Sequence, residues 1–137
     1  MGNLNAKRDW GHAKDYVEMQ WRILQQRKPE DYVIATGETH TVREFINAAA
    51  KLLNMQIYWS GKGLKETGYI YEDSRKKIII KIDKKYFRPN EVDYLRGSTK
   101  KAQKKLNFKP KYSFLGLVKD MINKDLFLAQ EELDKKY

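Results

Sequence analysis

Arg8, Asp9, Trp10 and His12 bring a cation, an acid, an indole and an imidazole into one short run, Asn3 to Val17 (NLNAKRDWGHAKDYV). Gly2 and Gly11 bracket it, where the backbone is free of a Cβ. After Gly11, apolar groups recur at Ala13, Val17, Trp21 and Leu24, which is helical spacing. The four residues therefore stand at a helix entrance. A guanidinium beside free backbone N–H groups suits a phosphate or a carboxylate. The same residues also fit a structural role, with Arg8 and Asp9 as a local ion pair and Trp10 in the core. A second set is Arg88-Pro89-Asn90-Glu91. On a helical turn its cation and carboxylate share a side. A guanidinium grips a pyrophosphate through paired N–H bonds, and a carboxylate accepts from both ribose hydroxyls. Arg88 and Glu91 are thus a minimal set for a nucleoside diphosphate. The alternative is a surface ion pair contributing a few tenths of a kcal/mol.

Other chemistries lack their residues. His12 and His40 are far apart in sequence, and no cysteine or acidic cluster has metal-ligand spacing. His40 reads as a loop residue before a helix cap. Lys14 and Tyr16 do not make a Tyr-x-x-x-Lys pair. Gly61 and Gly63 do not complete a phosphate-binding fingerprint, because the third glycine and the strand–helix context are missing. The residues alone describe an anion-binding surface with no catalytic or metal site.

The elements that must position these groups follow from periodicity and turn chemistry. A first helix is predicted from about Gly11 to Arg27, stopped by Pro29. Tyr32-Val33-Ile34-Ala35 reads as a buried strand closed by Thr36-Gly37. Thr41-Val42-Arg43-Glu44 is a capping box, and Phe45, Ala48, Ala49, Leu52 and Leu53 form the stripe of the helix that follows, with Asn54 as its stop. Gln56 to Trp59 is a strand candidate. Tyr69, Ile70 and Tyr71 are expected to pair with Lys77 to Ile82, within which Ile78-Ile79-Ile80 is a strong strand signal. A helix is predicted from near Ser98 to Leu106. A last one begins near Ser113, with a polar tail, Gln130 to Tyr137, expected to fray.

A chain of 137 residues is enough for one modest domain, which buries about two-thirds of its unfolded surface. Hydrophobic residues at 41% favour a packed core over disorder. With no cysteine there is no disulfide framework, which fits a reducing compartment. No apolar run approaches the ~20 residues that span a bilayer, and no secretory signal is visible. A cytoplasmic location is expected. The formal charge of +10 raises the question of nucleic acid. Basic residues alternate with acids over most of the chain, however, and Lys100 to Lys105 has the phasing of a solvated helix face. A specific nucleic-acid partner is therefore not expected.

The run GNLNAKRDWGHAKDYVEMQW resembles a segment just past the middle of GDP-mannose 4,6-dehydratases, which are extended short-chain dehydrogenase/reductase enzymes. DYVIATGETHTVREF (Asp31 to Phe45), KIDKKYFRPNEVDYL (Lys81 to Leu95), KKAQKKLNFKPKYSF (Lys100 to Phe114) and LVKDMINKDL (Leu117 to Leu126) continue the likeness in order. It covers nearly the whole chain, but only the C-terminal part of such an enzyme. Gly97-Ser98 replaces the family's usual Gly-Asp, and Phe108 the usual Trp. Met1 stands at an interior position of the family, so the chain is expected to begin in mid-fold.

The resemblance implies an α/β chain: final strands and helices of the Rossmann unit plus the small substrate-binding domain, as one partial domain over 1–137. In the family the N-terminal half binds NADP and carries the catalytic residues, so no catalytic, metal or cofactor residue is assigned to this chain. Arg8, Arg88 and Glu91 match positions that hold the diphosphate and ribose of GDP-mannose. Trp10 and His12 match the motif and are given structural roles. In the whole enzyme the sugar is oxidised at C4 by NADP, loses water across C5 and C6, and regains hydride at C6. The implied partners are GDP or GDP-mannose, a separately encoded N-terminal half, and further copies of the chain. A non-catalytic GDP-sugar binding remnant is the alternative, followed by a basic nucleic-acid-binding domain.

Overall fold

The computed structural model describes residues 1–88 and 92–136. Its elements are β1 (Lys7–Arg8), α1 (Ala13–Leu24), β2 (His40–Thr41), α2 (Val42–Leu52), β3 (Tyr58–Ser60), a 3-10 turn (Gly63–Lys65), β4 (Thr67–Glu72), β5 (Arg75–Lys81), α3 (Lys100–Leu106) and α4 (Phe114–Asp134). They fall into two compact units, Met1–Lys7 with Thr41–Tyr94, and Arg8–His40 with Leu95–Tyr137.

The first unit is built on backbone pairing. β3, β4 and β5 form an antiparallel sheet in that order, with Tyr58 opposite Tyr69 and Tyr71 opposite Lys76. The expected pairing of Tyr69 to Tyr71 with the strand from Lys77 is thus present. Its hairpin turns on Asp73 and Ser74, both left-handed at φ 49° and 61°. Two successive left-handed residues match the twist of the flanking strands. α2 starts on the predicted capping box: Glu44 N–H donates to Thr41 Oγ1 (3.0 Å) and Thr41 N–H to Glu44 Oε2 (2.7 Å). It ends before Asn54, left-handed at φ 54°. Arg43 of α2 stacks over the Trp59 ring at 4.5 Å and pairs with Glu66 at 2.7 Å. Trp59 Nε1 donates to Asn47 Oδ1 (3.1 Å), so the sheet and α2 are tied by side chains as well as by packing. A Cβ on Gly2 would strike the Tyr86 carbonyl oxygen, so this glycine serves close approach.

The second unit is helical. Met19, Ala102, Leu106 and Phe108 form its core, with Ile23, Tyr32 and Ile34 packed against them. Phe108 is fully buried, so it fills the place expected for a larger indole. Arg22 donates to the carbonyls of Leu106 (3.0 Å) and Asn107 (2.8 Å), which α3 leaves without helical partners. Asn107 is left-handed at φ 48° and closes α3.

Three expectations are corrected here. α1 stops at Leu24, three residues before Arg27, with the Gln25 N–H bonded back to the Trp21 carbonyl. α4 continues to Asp134 through the expected frayed stretch, and Gln130 Nε2 bonds Asp134 Oδ1 one turn on (2.7 Å). Tyr32 to Ala35 joins no strand ladder, and Val33 is 53% exposed. A strand needs a partner edge, and the described residues offer this segment none.

Candidate functional site

The run from Arg8 to His12 is held by its own polar side chains. Asp9 Oδ1 accepts from the backbone N–H and the hydroxyl of Thr36, both at 2.7 Å. Asp9 Oδ2 accepts from the N–H groups of Gly37 (2.9 Å) and Gly97 (3.4 Å). One carboxylate therefore fastens three stretches of chain. Trp10 Nε1 donates to the His40 carbonyl (2.9 Å), so the indole is anchored and only its body packs.

His12 caps α1. Its Nδ1 accepts from Lys14 N–H (3.1 Å), which leaves the ring proton on Nε2 to reach Asp120 Oδ2 at 3.0 Å. The ring is buried and stacks on Tyr112 with centroids 3.9 Å apart. The His12 contact, with Lys14 beside it, holds the Asp120 carboxyl below its ordinary value. His40 stacks on Phe114 at 3.8 Å. The structural roles expected for Trp10 and His12 agree with these contacts. Gly11 is required because a Cβ there would enter the Tyr16 ring, which is a matter of close approach. Burial first, and then Asp9 and Asp15, push the Tyr16 phenol above its ordinary pKa.

Arg8 is half-buried and borders an open cavity of about 370 Å³. Val33, Ile34, Ala35 and Leu95 give that cavity its apolar wall, and Arg96 lines it with Arg8. Arg96 Nε is fixed by the Gly37 carbonyl at 2.6 Å. Two guanidinium groups on one cavity make an environment for an anion. Arg88 is exposed and belongs to the first unit, whereas Arg8 belongs to the second. Glu91 lies outside the described residues.

Sequence reasoning missed Arg96 and Asp15. Asp15 is buried in α1, and its Oδ2 accepts from the N–H groups of Lys111 (3.0 Å) and Tyr112 (3.1 Å). An acid in the first turn of a helix looks like an ordinary dipole partner, so its long-range role carried no local signal. Among the described residues, no group of His, Asp and Glu is placed to hold a metal ion. No described helix is long and apolar enough to cross a membrane.

The mixed α/β arrangement is the C-terminal part of an extended short-chain dehydrogenase/reductase fold. A structure of RMD from Pseudomonas aeruginosa complexed with NADPH matches it with a TM-score of 0.64, over 90% of this chain and 34% of that one, at 16% identity. A family model described as GDP-mannose 4,6 dehydratase matches residues 1–121. GDP-mannose 4,6 dehydratase of Dictyostelium discoideum is 55% identical over 92% of this chain, and that of Drosophila melanogaster 51% identical over 96%. The Homo sapiens protein is 50% identical over 95%. The chain belongs to the GDP-mannose 4,6-dehydratase family. It spans about a third of the length of these relatives, at 35%, 33% and 34% of each.

Proposed function

We propose that residues 1–137 act as the nucleotide-sugar-binding region of a GDP-mannose 4,6-dehydratase. The region holds the GDP part of GDP-mannose and contributes to its conversion to GDP-4-keto-6-deoxymannose once a catalytic N-terminal half is supplied. The observation that carries this reading is identity of 50–55% over more than nine-tenths of the chain to relatives bearing that name. The RDW and RPxEV motifs lie unbroken within the matched stretch, at Arg8 and at Arg88 with Glu91.

Arg8 and Arg88 would take the diphosphate by charge-assisted N–H bonds, and Glu91 would accept from the ribose hydroxyls. Arg8 stands beside a backbone fastened by Asp9, so its guanidinium is presented from a fixed base. NADP, which supplies the hydride chemistry, would belong to the other half. The expected location is the cytoplasm. A GDP-sugar binding remnant without a catalytic partner is the second reading. Calorimetric titration of GDP into the chain, alone and with Arg88→Ala, tests the ligand assignment. Saturable binding that weakens at least about tenfold in the variant is expected from loss of a charge-assisted pair. Unchanged affinity in the variant refutes the role given to Arg88.

A further inference from the structure

One face of the β3–β4–β5 sheet carries aromatic rings where a solvated sheet face ordinarily carries polar groups. Tyr58 stands opposite Tyr69, Tyr69 opposite Ile78, Tyr71 opposite Lys76, and Thr67 opposite Lys81. Residues directly opposite share a face, as does every second residue of one strand. Tyr58, Tyr69, Tyr71, Lys76, Ile78 and Lys81 therefore lie on one side. The other side is covered by α2. Trp59 bonds Asn47 and stacks under Arg43, and a Cβ on Gly68 would meet Trp59 and Ile80.

The rings hold one another. Tyr58 and Tyr69 stack with centroids 5.7 Å apart, and Tyr71 meets them edge-on at 5.4 and 5.7 Å. Tyr58, Tyr71 and Ile78 nevertheless stay 38%, 57% and 46% exposed. The surroundings are basic. Lys62 to Lys85 contains eight Lys and Arg residues against four Asp and Glu. Two of those acids are already in ion pairs, Glu66 with Arg43 and Glu72 with Lys77, both at 2.7 Å. Arg75, Lys76 and Lys81 have no acidic partner among the described residues. Lys76 Nζ lies 4.0 Å from the Tyr69 centroid, so a cation stands directly over the ring cluster.

We infer that this face binds single-stranded nucleic acid without sequence preference, with bases stacked on Tyr58 and Tyr71 and phosphates met by Lys76 and Lys81. Charge and ring chemistry together select this occupant. Unpaired bases of any sequence present a π-face to a tyrosine, and the backbone that joins them is a polyanion. A duplex keeps its base faces inside its own stack. An acidic polypeptide would use the lysines but not the rings. The face uses none of Arg8, Arg88 and Glu91, so it stands or falls apart from the GDP reading.

The test is fluorescence anisotropy of labelled oligouridine and oligothymidine with the full chain, competed by a duplex of equal length and by polyglutamate. The single strands should bind at least about tenfold tighter than either competitor at equal salt, and the stronger of the two tells RNA from DNA. Tyr71→Ala should weaken single-strand binding about fivefold or more through the loss of one stacked base, and leave polyglutamate binding unchanged. Tyr58→Leu keeps an apolar side chain opposite Tyr69 and removes only the flat ring, so it should weaken single-strand binding with the circular dichroism of the sheet intact. Lys76→Gln should lower the log–log salt slope by about one. Three outcomes overturn the inference. Duplex or polyglutamate binds as tightly as the single strands, which leaves charge alone or an acidic protein; or both tyrosine variants keep full affinity; or light scattering shows a dimer that Tyr71→Ala dissociates, which assigns the face to a second copy.

Discussion

The two units of this chain are held together by different chemistry. In the first, β3, β4 and β5 satisfy one another through an antiparallel ladder, with one register shift between Gly68 and Tyr69, and the hairpin partners are close in sequence. In the second, carboxylates carry many of the long-range ties, beside the Arg22 bonds to the Leu106 and Asn107 carbonyls. Asp9 reaches Gly97 across 88 residues, Asp15 reaches Tyr112 across 97, and Asp120 reaches His12 across 108. Glu18 adds Lys111, and Glu30 adds Lys101 and Lys105. The comparison teaches that backbone pairing closes a unit with its own residues. A unit tied by side chains can hold a segment such as Tyr32 to Ala35 that joins no ladder among the described residues.

Breaking a tie of the second unit should give the largest effect. Asp15→Ala removes a buried carboxylate and leaves the half-buried N–H groups of Lys111 and Tyr112 without that acceptor, at a cost of about 2–3 kcal/mol. Hydrogen exchange should show α1, α3 and α4 opening more readily while the ladder of β4 and β5 keeps its protection. Equal loosening of both units would abolish the distinction.

Acid is the next way to separate the units. Among the described residues, the carboxyls held below their ordinary values lie in the second unit: Glu18 is lowered mainly by Lys111 and then Arg22, Glu30 by Lys105 and then Lys101, and Asp120 by His12 and then Lys14. A lowered folded-state value means that the unfolded chain takes up the proton first. The contribution is therefore whole above the ordinary carboxylate range and is lost as pH falls through that range to the lower folded values. As pH falls through and below the ordinary carboxylate range, amides of the second unit should lose protection before those of the β-sheet do. Asp120→Asn should flatten part of that dependence. A pH profile identical in both units would contradict the assignment.

The smallest expected change sharpens the comparison from the other side. Ser74 holds φ 61° in the hairpin turn, a conformation that glycine adopts without Cβ strain. Ser74→Gly should stabilise the first unit by about 0.5–1 kcal/mol, seen as a higher denaturant midpoint for the sheet amides only.

Much of the fold was legible because its signals are local. The Thr41–Glu44 capping box, the left-handed stop at Asn54, the Ser113 cap and the Ile78-Ile79-Ile80 strand each rest on a few adjacent residues, and each is present. The candidate site was legible only in part. Arg8 was found from its place at a helix entrance, but Arg96 joins it through Gly37, 59 residues away, and adjacency in sequence carries no trace of that. The early end of α1 was missed because Gln26 turns its N–H to the Ile23 carbonyl, three residues back, while its side-chain amide takes the Arg22 carbonyl, so the ladder stops before Pro29 can act.

The sequence by itself determined the element types, their caps and turns, the chemistry available to the ligand motifs and the family that shares them. These depend on side-chain period, backbone preference and residue identity over short stretches. Only the tertiary structure decided which carboxylate ties which distant N–H, that Gly97 must lack a Cβ against Ala35, and that an apolar strand sequence joins no ladder among the described residues. Those outcomes depend on which surfaces meet in space. A run such as Tyr-Val-Ile-Ala states a preference for burial and an extended backbone, but not which distant residues meet its side chains.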